Sequence, residues 1–351
     1  MKKHNFSAGP CILPQSVLKQ ASEAVLNFNN DNLSLLEISH RSKPFVDVME
    51  KARALVLELL NLNDDYSVLF LQGGASLEFL LVPYNLLKIG GKAEYLDTGT
   101  WSTKAIKEVK HLGDVNVIAS SKDKDFTYIP KDYTIDSNAD YFHCTSNNTI
   151  RGTQMKTFPK TDIVNVCDMS SDIFSRELDF SQFDLIYAGA QKNMGPAGTT
   201  LVVVKKSILG KTGRNIPSML DYQIHIDKDS MFNTPSVFAI YVSMLTLQWL
   251  KDLGGIKAIE KINNAKAELL YGEIDTNVLF EGTAAKEDRS NMNVTFRLLD
   301  TSKTEVFEQL LKDNGINGLN GHRSVGGYRA SMYNALPLES VEVLVGLMKQ
   351  I

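Results

Sequence analysis

YAGAQKNMGPAGTTLVVV, residues 187–204, contains a strand end, a lysine in a turn of small residues, and a second strand. The run Thr199–Lys205 is apolar at both strand parities, as a strand covered on both faces requires, so it is expected at or near the middle of a sheet. Lys192 stands between the two strands, flanked by Gly-Pro-Ala-Gly. A loop lysine usually extends into water. Here small apolar flanks allow desolvation and a neighbouring cation to lower its pKa until the amine captures a carbonyl.

Working outward, YSVLFLQ, AEYLD, DYFHC and IVNVCD read as strands, with helical stretches at 75–87 and 101–112 between the first of them. That alternation predicts an α/β sheet clothed by helices. Pro44 opens an amphipathic helix just after His40 and Arg41. Thr234-Pro235 reads as N-cap and N1 of a helix at 236–252, closed near Gly254-Gly255. Beyond 256 the pattern becomes a charged helix to 272, a strand at MNVTFRL, a helix at 303–313, a Gly-rich segment, a strand YRASMY and a last helix after Pro337. A large domain over 1–255 and a smaller α+β domain over 256–351 are therefore expected, which suits 351 residues.

Composition narrows the function. A net charge of -4 without a basic block gives no footprint for nucleic acid or an anionic membrane. No export signal is visible near Met1, and no run of about 18 apolar residues occurs, so a cytoplasmic location is expected. Three scattered cysteines form neither a disulfide framework nor a Cys-x-x-Cys pair, and the histidines show no ligand spacing, so no metal site is expected. There is neither a G-x-G-x-x-G after a strand nor a G-x-x-x-x-G-K-[ST].

Asp168 ends the strand IVNVCD, where open α/β sheets face their ligands; its plain alternative is a turn-starting Asp. A lysine and a carboxylate together are what pyridoxal phosphate needs, one for its aldehyde and one for its ring nitrogen. In VLFLQGGASLEF a glycine pair precedes a helix start whose N–H groups at Gly74, Ala75 and Ser76 suit a phosphate, although tight packing explains such glycines equally well. Arginine is scarce, nine of 37 basic residues, yet Arg41, Arg323 and Arg329 fall among histidines and glycines, as a doubly anionic substrate would want. Arg53 and Arg289 look like plain surface charges. Trp101 is either a core residue or a lid for a flat ring.

FSAGPCILP, SHRSKPF, LQGGAS, DTGTWS, NNTIRGT, CDMSSD, YAGAQKNMGPAG, MFNTP and GHRSVGGYRASMYNALP, in this order along nearly the whole chain, resemble the phosphoserine aminotransferases among the class V aminotransferases. The resemblance implies an aspartate-aminotransferase-like fold, pyridoxal phosphate fold type I, with a mostly parallel central sheet. It implies pyridoxal 5'-phosphate bound covalently to Lys192, with Asp168 at the ring nitrogen and Trp101 stacked on the ring. Ala75, Ser76, Thr149 and Gln191 would hold the phosphate and rim. In a homodimer with shared sites, Asn233 and Thr234 would reach the neighbouring subunit's cofactor phosphate. Arg41 and Arg329 would contact substrate, with His40, His322 and Arg323 on its phosphate.

The implied reaction takes the amino group from L-glutamate to 3-phosphohydroxypyruvate by a ping-pong scheme, in serine biosynthesis, with a vitamin B6 precursor as a second candidate substrate. Some relatives carry arginine where this chain has Ser76, and Arg151 beside Thr149 is a candidate replacement for that charge. Rival readings are an alanine–glyoxylate type of class V enzyme, a cysteine desulfurase, whose reactive cysteine follows the lysine whereas Cys11, Cys144 and Cys167 precede it, and a non-catalytic cofactor-binding protein.

Overall fold

The computed structural model describes residues 3–351. In chain order, β1 (His4–Asn5), α1 (Gln15–Leu26) and α2 (Lys43–Leu60) precede β2 (Tyr66–Leu71), α3 (Gly74–Leu86), β3 (Lys92–Asp97), α4 (Thr100–Val109) and β4 (Asp114–Ser120). Then come β5 (Tyr141–Thr145), the short β6 (Asn147–Asn148) and β7 (Thr153–Gln154), β8 (Val164–Asp168), β9 (Leu185–Gly189), the four-residue α5 (Ala190–Asn193) and β10 (Thr200–Lys205). The remainder comprises α6 (Tyr222–Asp227), α7 (Val237–Asp252), α8 (Gly255–Thr276), β11 (Phe280–Gly282), β12 (Asn293–Leu298), α9 (Thr304–Asp313), β13 (Ile316–Asn317), β14 (Tyr328–Ser331) and α10 (Leu338–Met348).

Seven strands form one sheet in the order β2-β10-β9-β8-β5-β3-β4. All its neighbours pair parallel except at β10, which runs antiparallel to both β2 and β9. The apolar strand at 200–205 is thus interior, one place from the edge rather than central, and its residues through Val204 are buried. One face packs Val48, Met49 and Val56 of α2 and Ile240 and Leu247 of α7 against Phe142, Ile186 and Val203. The other packs α3 and α4, through Phe79, Val82 and Ile106, against Val166, Tyr187 and Val202. Burial on both faces is the dominant stabilising term, at about 25 cal/mol per Å² of apolar surface.

A second, three-stranded antiparallel sheet, β11-β12-β14, packs with α8, α9 and α10 around Val294, Phe296, Phe307 and Leu344. Phe6 joins this cluster from the far end of the chain, because β1 pairs with β13. Where the two cores meet, polar side chains replace apolar ones. Asn147 donates to Ser171 and to Asn293, both at 2.7 Å, and Asn293 donates to Ser331 at 3.0 Å.

Three local expectations are corrected. The long helix starts at Val237 with Ser236 as N-cap, two residues later than Thr234-Pro235 suggests. Ser236 Oγ donates to Gly198 O at 2.7 Å, the Thr234 carbonyl accepts from Gln72 at 2.7 Å, and Val237 N donates to Pro235 O at 2.8 Å in a tight turn at Ser236, so the helix begins only after it. Arg53 is no plain surface charge: its Nε donates to Val68 O at 3.1 Å and its Nη1 pairs with Asp229 at 2.6 Å. Arg289 makes two hydrogen bonds to Asp275, at 2.7 and 2.9 Å, and lies 4.5 Å above the Tyr271 ring.

Candidate active site

Parallel strands deliver their last residues to one edge, and Asp97, Thr145 and Asp168 all end strands there. β10 runs the other way, so its first residue, Thr200, meets the same edge beside Gly189. From that edge α5 carries Lys192, whose Nζ donates to Thr149 Oγ1 at 3.0 Å and lies 5.8 Å from the centre of the Trp101 ring. Asp168 and Lys192 are near enough for each to shift the other's titration. Burial pushes the Lys192 pKa below its ordinary value; Asp168 opposes this and Arg329 assists.

Asp168 is buried, and Oδ1 accepts from Ser170 N at 2.9 Å and Ser170 Oγ at 2.6 Å. Burial raises its pKa, and the Ser170 bonds and Lys192 hold it down. Among the described residues Oδ2 has no hydrogen-bond partner, and neither do the buried Thr145 Oγ1, Thr200 Oγ1 and Trp101 Nε1. Thr145 pairs in register with Asp168. Unpaired polar atoms gathered at one edge mark a place for a polar ligand.

Gly73 lets the chain pack closely on Leu77 as it enters α3. With φ at +100° it turns the chain into α3, and a Cβ there would lie 2.5 Å from Leu77. No side chain caps α3, so the N–H groups at Gly74, Ala75 and Ser76 face outward unpaired by a cap, with Ala75 half-buried and Ser76 exposed. Trp101 is set at the start of α4 by Ser102, whose Oγ accepts from Thr98 N and Gly99 N, both at 2.9 Å. Lys104 Nζ stands 4.4 Å from the Trp101 ring centre. Gln191 is tied through its carbonyl to Cys11 N at 3.1 Å.

The second sheet supplies cations. Arg329 on β14 is half-buried with an unpaired Nε. His322 hydrogen-bonds Ser324 Oγ at 2.7 Å, and Arg323 is exposed. The pKa of His322 is lowered first by burial, then by Arg329, Arg323, Lys104 and Arg151, so these five groups share one neighbourhood. Arg151 pairs with Asp125 at 2.5 Å and, with Arg329 and Ser324, lines a cavity of about 170 Å³.

Four expected residues stand apart. His40 is half-buried with an unpaired Nε2, and Arg41, Asn233 and Thr234 are exposed. Among the described residues no hydrogen bond or ion pair joins them to Lys192, Asp168 or the 322–329 segment; Thr234 is linked only to Gln72.

Sequence reading missed what lies beneath Asp168. Tyr187 pairs with Asp168 in register, and its hydroxyl is 2.9 Å from His143 Nε2. His143 stacks on Tyr95 at 4.6 Å, and Tyr95 shares a 2.8 Å bond with Tyr141. Glu78 of α3, fully buried, accepts from Tyr222 OH at 2.5 Å. Burial pushes Glu78 up to about 8 and His143 down to about 3, so both are largely neutral at pH 7. Strand parity was the available signal, because His143, Thr145, Asp168 and Tyr187 share a face.

A family model for class V aminotransferases matches residues 3–344. The phosphoserine aminotransferase of Flavobacterium psychrophilum is 71% identical, covering 100% of this chain and 99% of its own. Among solved structures, the phosphoserine aminotransferase of Bacillus circulans subsp. alkalophilus superposes with a TM-score of 0.96 at 42% identity, over 99% of this chain and 98% of that one. The PLP-bound phosphoserine aminotransferase of Trichomonas vaginalis superposes at 0.93 with 34% identity, over 99% of this chain and 100% of that one. The fold is type I of the pyridoxal-phosphate enzymes, and the chain belongs to the phosphoserine aminotransferase family of class V aminotransferases.

Proposed function

We propose that this chain moves the amino group of L-glutamate to 3-phosphohydroxypyruvate, giving O-phospho-L-serine and 2-oxoglutarate, with pyridoxal 5'-phosphate as cofactor. The observation that carries the reading is the convergence of Lys192, Asp168, Thr149 and Trp101 at a sheet edge rich in unpaired polar atoms, beside a cluster of cations of which Arg151 is paired with Asp125. When bound, pyridoxal phosphate supplies an electron-accepting ring and carries the amino group between the two substrates.

Lys192 Nζ would anchor the cofactor through its aldehyde, and its free amine is the group placed to take a proton from the substrate's Cα. Its lowered pKa favours the neutral amine that this task needs. Asp168 Oδ2 holds the proton at the ring nitrogen, oriented by the bonds from Ser170 to Oδ1. Trp101 would cover the ring, and Ala75, Ser76, Thr149 and Gln191 would hold the phosphate and rim. Arg329 binds the substrate carboxylate through a planar fork, and His322 and Arg323 meet the substrate phosphate.

The division of labour is a cofactor-binding unit over 1–255 and a substrate-facing unit over 256–351. A homodimer with shared sites supplies the rest: His40 and Arg41 reach the substrate, and Asn233 and Thr234 the phosphate of the neighbouring subunit's cofactor. Leu33 and Leu36, shortly before His40 in sequence, and Phe232, next to Asn233, are exposed apolar side chains, which supports that reading. A cytoplasmic location agrees with the lack, among the described residues, of a helix long and apolar enough to cross a membrane.

The purified protein is expected to be yellow and to bleach when glutamate is added. Initial-velocity lines should be parallel, and phosphohydroxypyruvate should be far preferred to pyruvate or glyoxylate. Colour without bleaching would leave only cofactor binding, and equal use of the unphosphorylated acids would remove the role given to the basic cluster.

A further inference from the structure

Lys266 of α8 is fully buried, and among the described residues no carboxylate pairs with it. Its Nζ donates to three backbone carbonyls: Met332 at 3.0 Å, Tyr333 at 2.9 Å and Leu336 at 3.2 Å. An ammonium has three donors, so one short turn uses all of them. Burial without a counter-charge pushes the Lys266 pKa down to about 7. A buried cation is an expensive filler, since an apolar side chain of similar length packs without desolvation. Its presence calls for a reason in what the turn touches.

The turn follows directly on β14, which carries Arg329, and its first residue lies three positions beyond that arginine. Its middle residue, Asn334, reaches the other half of the site. Asn334 N donates to Asn193 Oδ1 at 2.9 Å, and Asn193 is the neighbour of Lys192. Asn334 Nδ2 donates to Phe174 O at 2.9 Å, and Asn193 Nδ2 to Ile173 O at 2.5 Å. α8 grips the turn a second time through Asn263, which donates to Asn334 Oδ1 at 2.9 Å and to Ser175 O at 3.0 Å. Every one of these groups except Lys266 is an uncharged amide or carbonyl, and all are buried.

We propose that Lys266 is a positioning residue for transamination: by pinning the 332–336 turn it fixes the separation between Arg329, at one end, and Lys192, reached through Asn334 and Asn193, at the other. Substrate must place its carboxylate on the first and its Cα against the second, so a turn free to drift misaligns the proton transfer. Displacements of about 1 Å in such arrangements lower rates by up to about 100-fold. The proposal rests on the reading of Arg329 as the carboxylate anchor.

The test uses the cofactor-loaded protein in the single-turnover reaction with glutamate, followed by bleaching of the visible band. Lys266→Met and Asn334→Ala are each compared with the unaltered protein well below their unfolding temperatures. In both variants the glutamate concentration for half-maximal rate should rise about tenfold and the maximal rate fall about tenfold or more, with colour retained. The double variant should lose no more than the worse single one, because both loosen the same turn: Lys266→Met frees its carbonyls, and Asn334→Ala removes the side-chain bonds from Asn263 and to Phe174 while leaving the backbone bond to Asn193. A role confined to stability lowers the melting temperature and leaves both constants untouched in folded protein; that result, or fully additive losses, overturns the proposal. If Lys266→Met does not fold, Asn334→Ala decides alone. Arg329→Lys is run in parallel: if it saturates with glutamate normally, the carboxylate reading has failed, and the maximal rate, which reports Lys192, decides for or against Lys266.

Discussion

The floor of the site and its mouth are built on opposite principles. On the floor, Asp168, Thr149 and the network through Tyr187, His143 and Tyr95 are buried, and most of their polar atoms bond within the chain. At the mouth, Arg323 is exposed, Arg329 half-buried, and His322 sits among Arg329, Arg323, Lys104 and Arg151 with Asp125 as the paired anion. The floor is part of the packed core of the seven-stranded sheet, where burial lowers the local dielectric. The mouth is an unbalanced charge awaiting anions from outside. On the proposed function, a substrate with a carboxylate and a phosphate would supply what the mouth lacks and leave the floor's chemistry unchanged.

Substitutions on the floor should therefore strike kcat, and substitutions at the mouth KM. The largest effect belongs to Lys192→Ala, which removes anchor and base together; steady-state turnover should fall on the order of ten-thousand-fold. Asp168→Asn keeps the shape but loses the charge, and kcat should drop about 100-fold with KM little changed. A KM change as large as the kcat change would erase the division between floor and mouth.

Arg151→Ala tests the mouth. KM for the phosphorylated keto acid should rise about three- to tenfold at low salt, with kcat preserved, and the difference should shrink as the Debye length contracts from about 30 Å at 0.01 M to about 8 Å at 0.15 M. An unchanged KM at both salts would remove Arg151 from substrate binding. The smallest effect concerns Glu78. Its folded pKa, about 8, lies above the ordinary 4.5, so its proton stabilises the fold fully below the ordinary value, and that contribution is lost as pH rises towards 8. His143, lowered from 6.5 to about 3, contributes in the opposite sense, gaining as pH rises between those values. Glu78→Gln, compared with the unaltered protein by denaturant midpoint, should remove only the first slope. Parallel midpoint curves across pH 5–8 would show that Glu78 does not titrate in that range.

The sequence and the structure agree most where one local rule decides. The lysine turn at 187–204, the Asp168 strand end and the glycine-started α3 were legible because each is a short motif with a fixed backbone consequence. The start of α7 was not, because Thr234 and Ser236 are both good caps and the choice depends on Gly198 and Gln72, distant in sequence. Arg53 and Arg289 misled for the same reason: their partners, Val68, Asp229 and Asp275, are set by packing. Glu78 and Lys266 look like ordinary helix-surface residues, and only the tertiary fold encloses them.

The pairing of His4 and Asn5 with Ile316 and Asn317 has a bearing on how the molecule is made. The Phe6–Cys11 arm that leads from this pair rests on the site itself: a Cβ on Gly9, whose φ is +136°, would sit 3.3 Å from Gln191 O and from Lys192 Cγ. During translation the arm emerges long before the strand that holds it, so the backbone around the lysine lacks this support until that strand has been made. A chain lacking β13 would therefore keep the lysine but lose the strand that holds the arm against it.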